Sequence, residues 1–308
     1  MKGTVLKSTG SWYKVLSENG EIIKCRIKGA FRIQNIKNTN PIAVGDHVTF
    51  TKENDTGTIT YIEKRKNYII RKSINLSKQT HIVAANIDQA FLIATLVKPP
   101  TSTGFIDRFL VTAEAYSIPA IILFNKCDLL SKKEEKEVQQ LIETYKNIGY
   151  NCLKLSALRA EDVLPLKAMM KNKTNLVAGH SGVGKSTLIN AIDPDFDLKV
   201  DDISEAHHKG KHTTTFAEML RLKDGGFVID IPGIKELGLV DMDKYEVAHY
   251  FPEMKQLLNK CKFNNCLHMN EPKCAVAEAV NNGTISESRY HSYLSIVSGE
   301  EVVKEYND

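Results

Sequence analysis

Residues Gly179-His180-Ser181-Gly182-Val183-Gly184-Lys185-Ser186-Thr187 satisfy G-x-x-x-x-G-K-[ST] without a gap, and nothing else so narrows the folds open to this chain. In that pattern backbone N–H groups converge on phosphate oxygens, the lysine reaches the β- and γ-phosphates, and the serine hydroxyl meets Mg2+. The loop works only between a strand and a helix. The largely apolar Asn175-Leu176-Val177-Ala178 precedes it and Leu188-Ile189-Asn190-Ala191 follows, which supplies both, and the helix N-terminus adds its dipole to anion binding. An α/β sheet with a nucleotide at its strand ends is therefore expected.

A second motif comes before the loop. Asn125-Lys126-Cys127-Asp128 follows the apolar run Ile118 to Phe124, the position of a loop at the end of a buried parallel strand. An aspartate there accepts from the N1–H and exocyclic amine of guanine. Adenine lacks that donor pair and would leave a carboxylate unmatched, so an ATPase or small-substrate kinase is disfavoured. Ser156-Ala157 follows the strand-like Cys152 to Leu155, where backbone N–H groups read the guanine oxygen. Past the phosphate loop, Asp230-Ile231-Pro232-Gly233 ends the run Gly226 to Ile229 and matches D-x-x-G. Its aspartate acts toward Mg2+ through water and its glycine N–H meets the γ-phosphate. Between the two lies Lys209-Gly210-Lys211-His212-Thr213-Thr214-Thr215, a polar stretch placed for a switch threonine.

The order along the chain is thus base reader, second base loop, phosphate loop, switch threonine, D-x-x-G, a rotation of the usual one. With Ala85-Asn86-Ile87-Asp88-Gln89, Phe105-Ile106-Asp107-Arg108-Phe109-Leu110 and Gly210 to Thr215, the chain resembles the small ribosomal subunit biogenesis GTPase family. These are circularly permuted GTPases of ribosome assembly. The resemblance implies an N-terminal OB-fold, a permuted GTPase domain and a C-terminal zinc knuckle. It further implies GTP hydrolysis on the small subunit late in its maturation, with release afterwards, by a cytoplasmic, monomeric protein that binds rRNA. Domains over 1–75, 76–240 and 241–308 are expected.

Charge is unevenly spread. Residues 1–75 carry 14 Lys/Arg against 6 Asp/Glu, while the whole chain has a net charge of only +4. Apolar and polar residues alternate through Glu21 to Lys28, and Ala43 to Phe50 reads as a turn and a strand, so a small barrel is expected. Such barrels bind nucleic acid through a charged groove with stacking aromatics. Trp12, Tyr13, Phe31 and Tyr68 are candidates, with core packing the commoner use of such residues. The middle of the chain predicts strands near Gln89–Leu96, Ile118–Phe124, Asn151–Leu155 and Asn175–Ala178. Helices are predicted near Phe105–Tyr116, Lys132–Asn147, Ala160–Met170 and Lys185–Ile192. This alternation argues for a parallel sheet. No apolar run reaches the ~18 residues of a membrane span.

Cys261-x4-Cys266-Leu267-His268-x5-Cys274 gathers three thiols and an imidazole within fourteen residues. The set is complete for one tetrahedral Zn2+ and leaves no open position, so a structural rather than catalytic zinc is expected. Scattered Cys25, Cys127 and Cys152 fit a reducing compartment. Beyond the cluster, helical periodicity runs through Val276, Ala279 and Val280, then Tyr290, Leu294 and Val297, with a packing role.

For hydrolysis, the position after D-x-x-G is Ile234, which cannot orient water where many GTPases place glutamine. Intrinsic turnover is therefore expected to be slow. His212 is the candidate water-orienting group, as the resemblance also implies. Thr214 is the candidate contact to Mg2+ and γ-phosphate, with Thr213 and Thr215 as alternatives. Lys185 completes the catalytic set, and Asp193 to His212 reads as the switch loop.

Overall fold

The computed structural model describes residues 1–27, 41–72, 80–196, 198, 217–230 and 242–299. Five strands form the N-terminal barrel: β1 (Lys2–Ser8), β2 (Tyr13–Ser17), β3 (Ile22–Ile27), β4 (His47–Glu53) and β5 (Thr56–Ile62). They pair in the order β1-β2-β3-β5-β4, and β4 returns to β1 to close an OB-fold barrel. Alternation drives it. Tyr13, Val15, Ile23, Cys25, Val48 and Phe50 point inward with Val5, Ile42 and Ile59, whereas Lys14, Lys24 and Arg26 stay exposed.

A hairpin of β6 (Tyr68–Lys72) and β7 (Thr80–Ala85) leads into the central domain. No strand was expected there: Tyr68-Ile69-Ile70-Arg71-Lys72 turns charged after three residues, too short an apolar run to mark one. The central sheet comprises β8 (Gln89–Ala94), β9 (Ala120–Phe124), β10 (Asn151–Lys154), β11 (Thr174–Ala178), β12 (Glu218–Arg221) and β13 (Phe227–Asp230). Its order is β10-β9-β8-β11-β13-β12, parallel except for β12, which runs antiparallel to β13. Helices α1 (Thr103–Ala115), α2 (Lys132–Asn147), α3 (Ala160–Met170) and α4 (Lys185–Ile192) cover it. Each expected element is present, within two residues of its predicted bounds.

Local chemistry sets the helix ends. Ser131 accepts from Glu134 N while the Glu134 carboxylate accepts from Ser131 N, a reciprocal capping box. Val138, Ile142 and Tyr145 then bury one stripe of α2. Period-two alternation splits the sheet into two cores. Leu92 and Ala94 face the layer of Leu110, Ile122 and Ile142, whereas Phe91 and Ile93 face Val177, Leu188 and Ile189.

The barrel and the central sheet are one continuous sheet, because β1 pairs antiparallel with β12. A second junction lies at Gly45, where φ is +87° and a Cβ would stand 2.2 Å from the Ala85 carbonyl oxygen. Ala85 N donates to Val44 O (2.8 Å) and Asn86 Nδ2 to Gly45 O (3.0 Å). The adjoining Asp46 is fully buried and held by a bidentate Arg65, at 2.6 and 2.7 Å.

The C-terminal unit contains α5 (Pro252–Lys255), α6 (Ala275–Asn281) and α7 (Glu287–Ser298). Its core of Val247, Phe251, Met254, Val276, Ala279 and Tyr293 includes Val111 of α1. Among the described residues no helix is long and apolar enough to cross a membrane.

Candidate nucleotide site and metal centre

The nucleotide motifs meet at the C-terminal ends of β9, β10, β11 and β13. Asn125 is the hub. Its Nδ2 donates to Val183 O of the phosphate loop (2.8 Å), and its Oδ1 accepts from Ala157 N of the second base loop (3.0 Å). One buried side chain therefore sets the spacing between the phosphate and base subsites. Lys126 takes a left-handed backbone, with φ of 61°, and its ammonium donates to Gly182 O (2.6 Å) and Lys98 O (2.5 Å). Asp128 stands exposed beside it, open to a base. Ser156 and Ala157 are buried, and Ser156 N is taken by the Asp162 carboxylate at 2.8 Å.

Three constraints shape the phosphate loop. At Gly179 the φ is +151° and a Cβ would meet Ile93 O at 2.6 Å; at Gly184 it is +92°, with Asn125 Nδ2 at 2.6 Å. Any side chain at Gly184 would thus push out the residue that aligns the two subsites. His180 packs against Phe105 at the head of α1, with ring centroids 3.7 Å apart and the planes tilted by 32°.

Lys185 donates to the carbonyls of Gly179 and His180, both at 2.8 Å. Burial pushes its ammonium below the ordinary lysine value, and Asp230 partly restores it. Burial likewise raises the Asp230 carboxyl, opposed by Lys185. A buried ammonium and carboxylate held this way suit a polyanion with a hard cation. The buried Ser186 hydroxyl, at the first turn of α4, adds an oxygen donor of the kind Mg2+ takes. Ser181 and Thr187 lie on the same loop and helix start. His212, Thr213, Thr214, Thr215, Gly233 and Ile234 lie outside the described residues, as does Phe31.

At the second constellation, the ligand atoms of Cys261, Cys266, His268 and Cys274 all lie within 4.8 Å of one another, and together they could hold a metal ion. His268 Nδ1 is the facing nitrogen, 3.6 Å from Cys261 Sγ and 3.4 Å from Cys274 Sγ. Burial pushes the Cys266 thiol up to about 12 and the His268 imidazole below its ordinary value. Thiolate, not thiol, is the ligand form, so binding a cation there would release protons. A shell of other residues fixes the loop. The Glu271 carboxylate accepts from Leu267 N, Met269 N and Asn270 N, at 2.7, 2.9 and 3.1 Å. Tyr293 and Tyr290 donate to the carbonyls of Leu267 and His268, each at 2.7 Å.

The tie between this unit and the central domain has no local signature in the sequence. Arg289 on α7 is 1% exposed; its Nη1 meets Asp107 Oδ1 of α1 at 2.7 Å, and its Nε meets Glu253 Oε1 at 2.7 Å. Tyr145 of α2 donates to the same Asp107 oxygen at 2.8 Å. Asp107 was visible as a carboxylate in the apolar segment Phe105 to Leu110, and a buried carboxylate requires a partner. Nothing local named that partner.

The RsgA GTPase family matches residues 62–240 of the chain, and the RsgA N-terminal domain matches residues 2–59. The small ribosomal subunit biogenesis GTPase RsgA of Christiangramia forsetii is 57% identical over 305 residues, covering 98% of this chain and 97% of that protein. Its counterpart from Bacteroides fragilis is 52% identical over 302 residues, with 98% and 97% covered. The crystal structure of YjeQ from Thermotoga maritima superimposes with a TM-score of 0.80 at 37% identity, over 97% of each chain. That of YloQ, a circularly permuted GTPase, superimposes with 0.74 at 34%, over 97% of this chain and 94% of that one. Permuted motif order, a barrel fused to the GTPase sheet and full-length similarity converge: this chain belongs to the RsgA family of circularly permuted GTPases.

Proposed function

We propose that this GTPase acts in assembly of the small ribosomal subunit. In this reading it binds the subunit's rRNA as a cytoplasmic monomer, hydrolyses GTP when the subunit stimulates it, and leaves with GDP. Its working parts are an RNA-binding barrel over 1–75, the GTPase domain over 76–240 and a metal-binding unit over 241–308. The observation that carries the reading is Asn125 joining the base loop to the phosphate loop within the permuted sheet. The named function of the full-length relatives supports the ribosomal part.

Roles follow from position. Asp128 pairs with guanine, and Asn125, Lys126, Ser156 and Ala157 frame the base. Backbone N–H groups of Gly179 to Thr187 cradle the phosphates, while Lys185 exchanges its two carbonyl partners for phosphate oxygens. Ser186, Thr214 and, through water, Asp230 would hold Mg2+, which neutralises charge developing on the phosphates. Gly233 N–H meets the γ-phosphate and His212 orients water, since Ile234 cannot. Three thiolates and one imidazole suit a structural Zn2+.

On the barrel, Arg26 and Lys24 lie over the Trp12 ring, 3.8 and 4.5 Å from its centroid. Lys14 stands directly opposite Lys24, a like-charge pairing that costs stability unless a polyanion covers it. Trp12 is thus the supported stacking residue, whereas Tyr13 is 1% exposed and belongs to the barrel core. Tyr68 packs against Tyr116.

The test is GTP turnover with and without purified small subunits. Turnover rises steeply with subunits, and His212→Ala removes most of that rise while leaving GTP affinity nearly unchanged. Absence of stimulation would overturn the ribosomal reading; full stimulation of His212→Ala would overturn the role of His212.

A further inference from the structure

The seam between barrel and GTPase sheet carries charged residues that the nucleotide chemistry above does not use. Without the barrel, β12 would be the edge of the central sheet, and an open edge is a template for an added strand. Here β1 fills it. Lys7 stands opposite Glu218 in the β1–β12 ladder, and Glu218 stands opposite Asp230 in the β12–β13 ladder. Residues opposed in antiparallel ladders share a face, so the three form one row that ends at the phosphate site. The Lys7 ammonium meets Glu218 Oε2 at 2.7 Å, drawing that carboxylate toward the barrel. The pairing of β1 with β2 shifts register between Val5 and Lys7. That bulge leaves Val5 in the barrel core and puts Leu6 in the GTPase core with Ala217 and Met219.

We propose that Lys7, a barrel residue, is a positioning residue of the nucleotide site: by holding Glu218 toward the barrel it keeps a second carboxylate off the Asp230 face, and so favours GTP over the less charged GDP. The inference rests on the reading of Asp230 given above. A carboxylate released beside Asp230 repels the γ-phosphate, which GDP lacks. Coupling is reciprocal, so a ligand that shifts β1 from the barrel side changes the GTP-to-GDP preference by the same factor by which exchanging GDP for GTP changes that ligand's affinity.

The test uses the purified full chain, fluorescent GDP and a non-hydrolysable GTP analogue at saturating Mg2+. Lys7→Glu lowers the analogue-to-GDP affinity ratio about fivefold, the worth of one cross-strand charge contact. The swap Lys7→Glu with Glu218→Lys returns it to within about twofold of the parent. Should Lys7→Glu not fold, Lys7→Ala is compared with Lys7→Ala plus Glu218→Gln; the first has a lowered ratio and the second the parent's. An unchanged ratio in the single variants, or one equally lowered in the paired ones, overturns the proposal. Asp230→Asn separates the two levels. If it leaves the Mg2+ dependence of nucleotide release intact, the reading of Asp230 fails. If it abolishes that dependence while the Lys7 variants keep the parent's ratio, only the inference fails.

Discussion

Replacing Arg289 with methionine strips three hydrogen bonds from two buried carboxylates: Nη1 to Asp107 (2.7 Å), and Nε and Nη2 to Glu253 (2.7 and 3.2 Å). It also removes a cation 4.5 Å from the Phe251 ring centroid. Removing one partner of a buried ion pair costs roughly 3–5 kcal/mol, because the remaining charge keeps its desolvation penalty. Methionine refills part of the volume, so the lower end applies, about 3 kcal/mol. With an m-value of about 2 kcal/mol/M in urea, the midpoint of the transition that includes α7 falls by about 1.5 M. The assay is urea unfolding by far-UV circular dichroism, with hydrogen exchange of the α1 and α7 amides to locate the transition. The combined change Asp107→Leu, Tyr145→Phe, Glu253→Leu, Arg289→Met, which also removes the Tyr145 hydroxyl that donates to Asp107, should recover most of the loss, since an apolar replacement carries no desolvation penalty. A midpoint for Arg289→Met within error of the parent, with α7 protection unchanged, would refute the reasoning: the ion network would not then be what docks the C-terminal unit on α1.

Asp128→Asn should weaken GTP and GDP binding while admitting xanthine nucleotides, read by competition against a fluorescent guanine nucleotide. In Gly184→Ala the methyl would enter the space of Asn125 Nδ2; guanine nucleotide affinity should fall about fivefold or more, as strain at φ of +92° costs of order 1–3 kcal/mol. Elemental analysis of protein purified without chelator should find one zinc per chain. Chelation should expose residues 257–298 to exchange first and leave GDP binding largely intact.

Legibility followed distance along the chain. The phosphate loop, Asn125 to Asp128 and the Cys/His cluster are contiguous, and each has a local context that the flanking apolar runs reveal. What stayed hidden joins distant segments: Arg289 to Asp107 across 182 positions, and Lys7 to Glu218 across 211. Periodicity says that a strand has a buried face, not which strand lies beside it. The hub role of Asn125 was hidden for the same reason, since its partners Val183 and Ala157 lie on other loops. His212, Thr214 and Gly233 fall outside the described residues.

The seam at Lys7 also imposes a schedule on synthesis. The barrel has all five strands once residue 62 has emerged, yet the end of β1 around Lys7 must wait for residue 218. At ~5–20 residues per second that interval is roughly ten to thirty seconds. For that time the nascent barrel carries a short unsatisfied edge, the kind of feature that invites strand exchange between neighbouring chains. A lysine is among the side chains best suited to such an edge, because its charge must be desolvated before a foreign strand can add. The partner that finally neutralises it, Glu218, arrives on the strand for which the edge was kept.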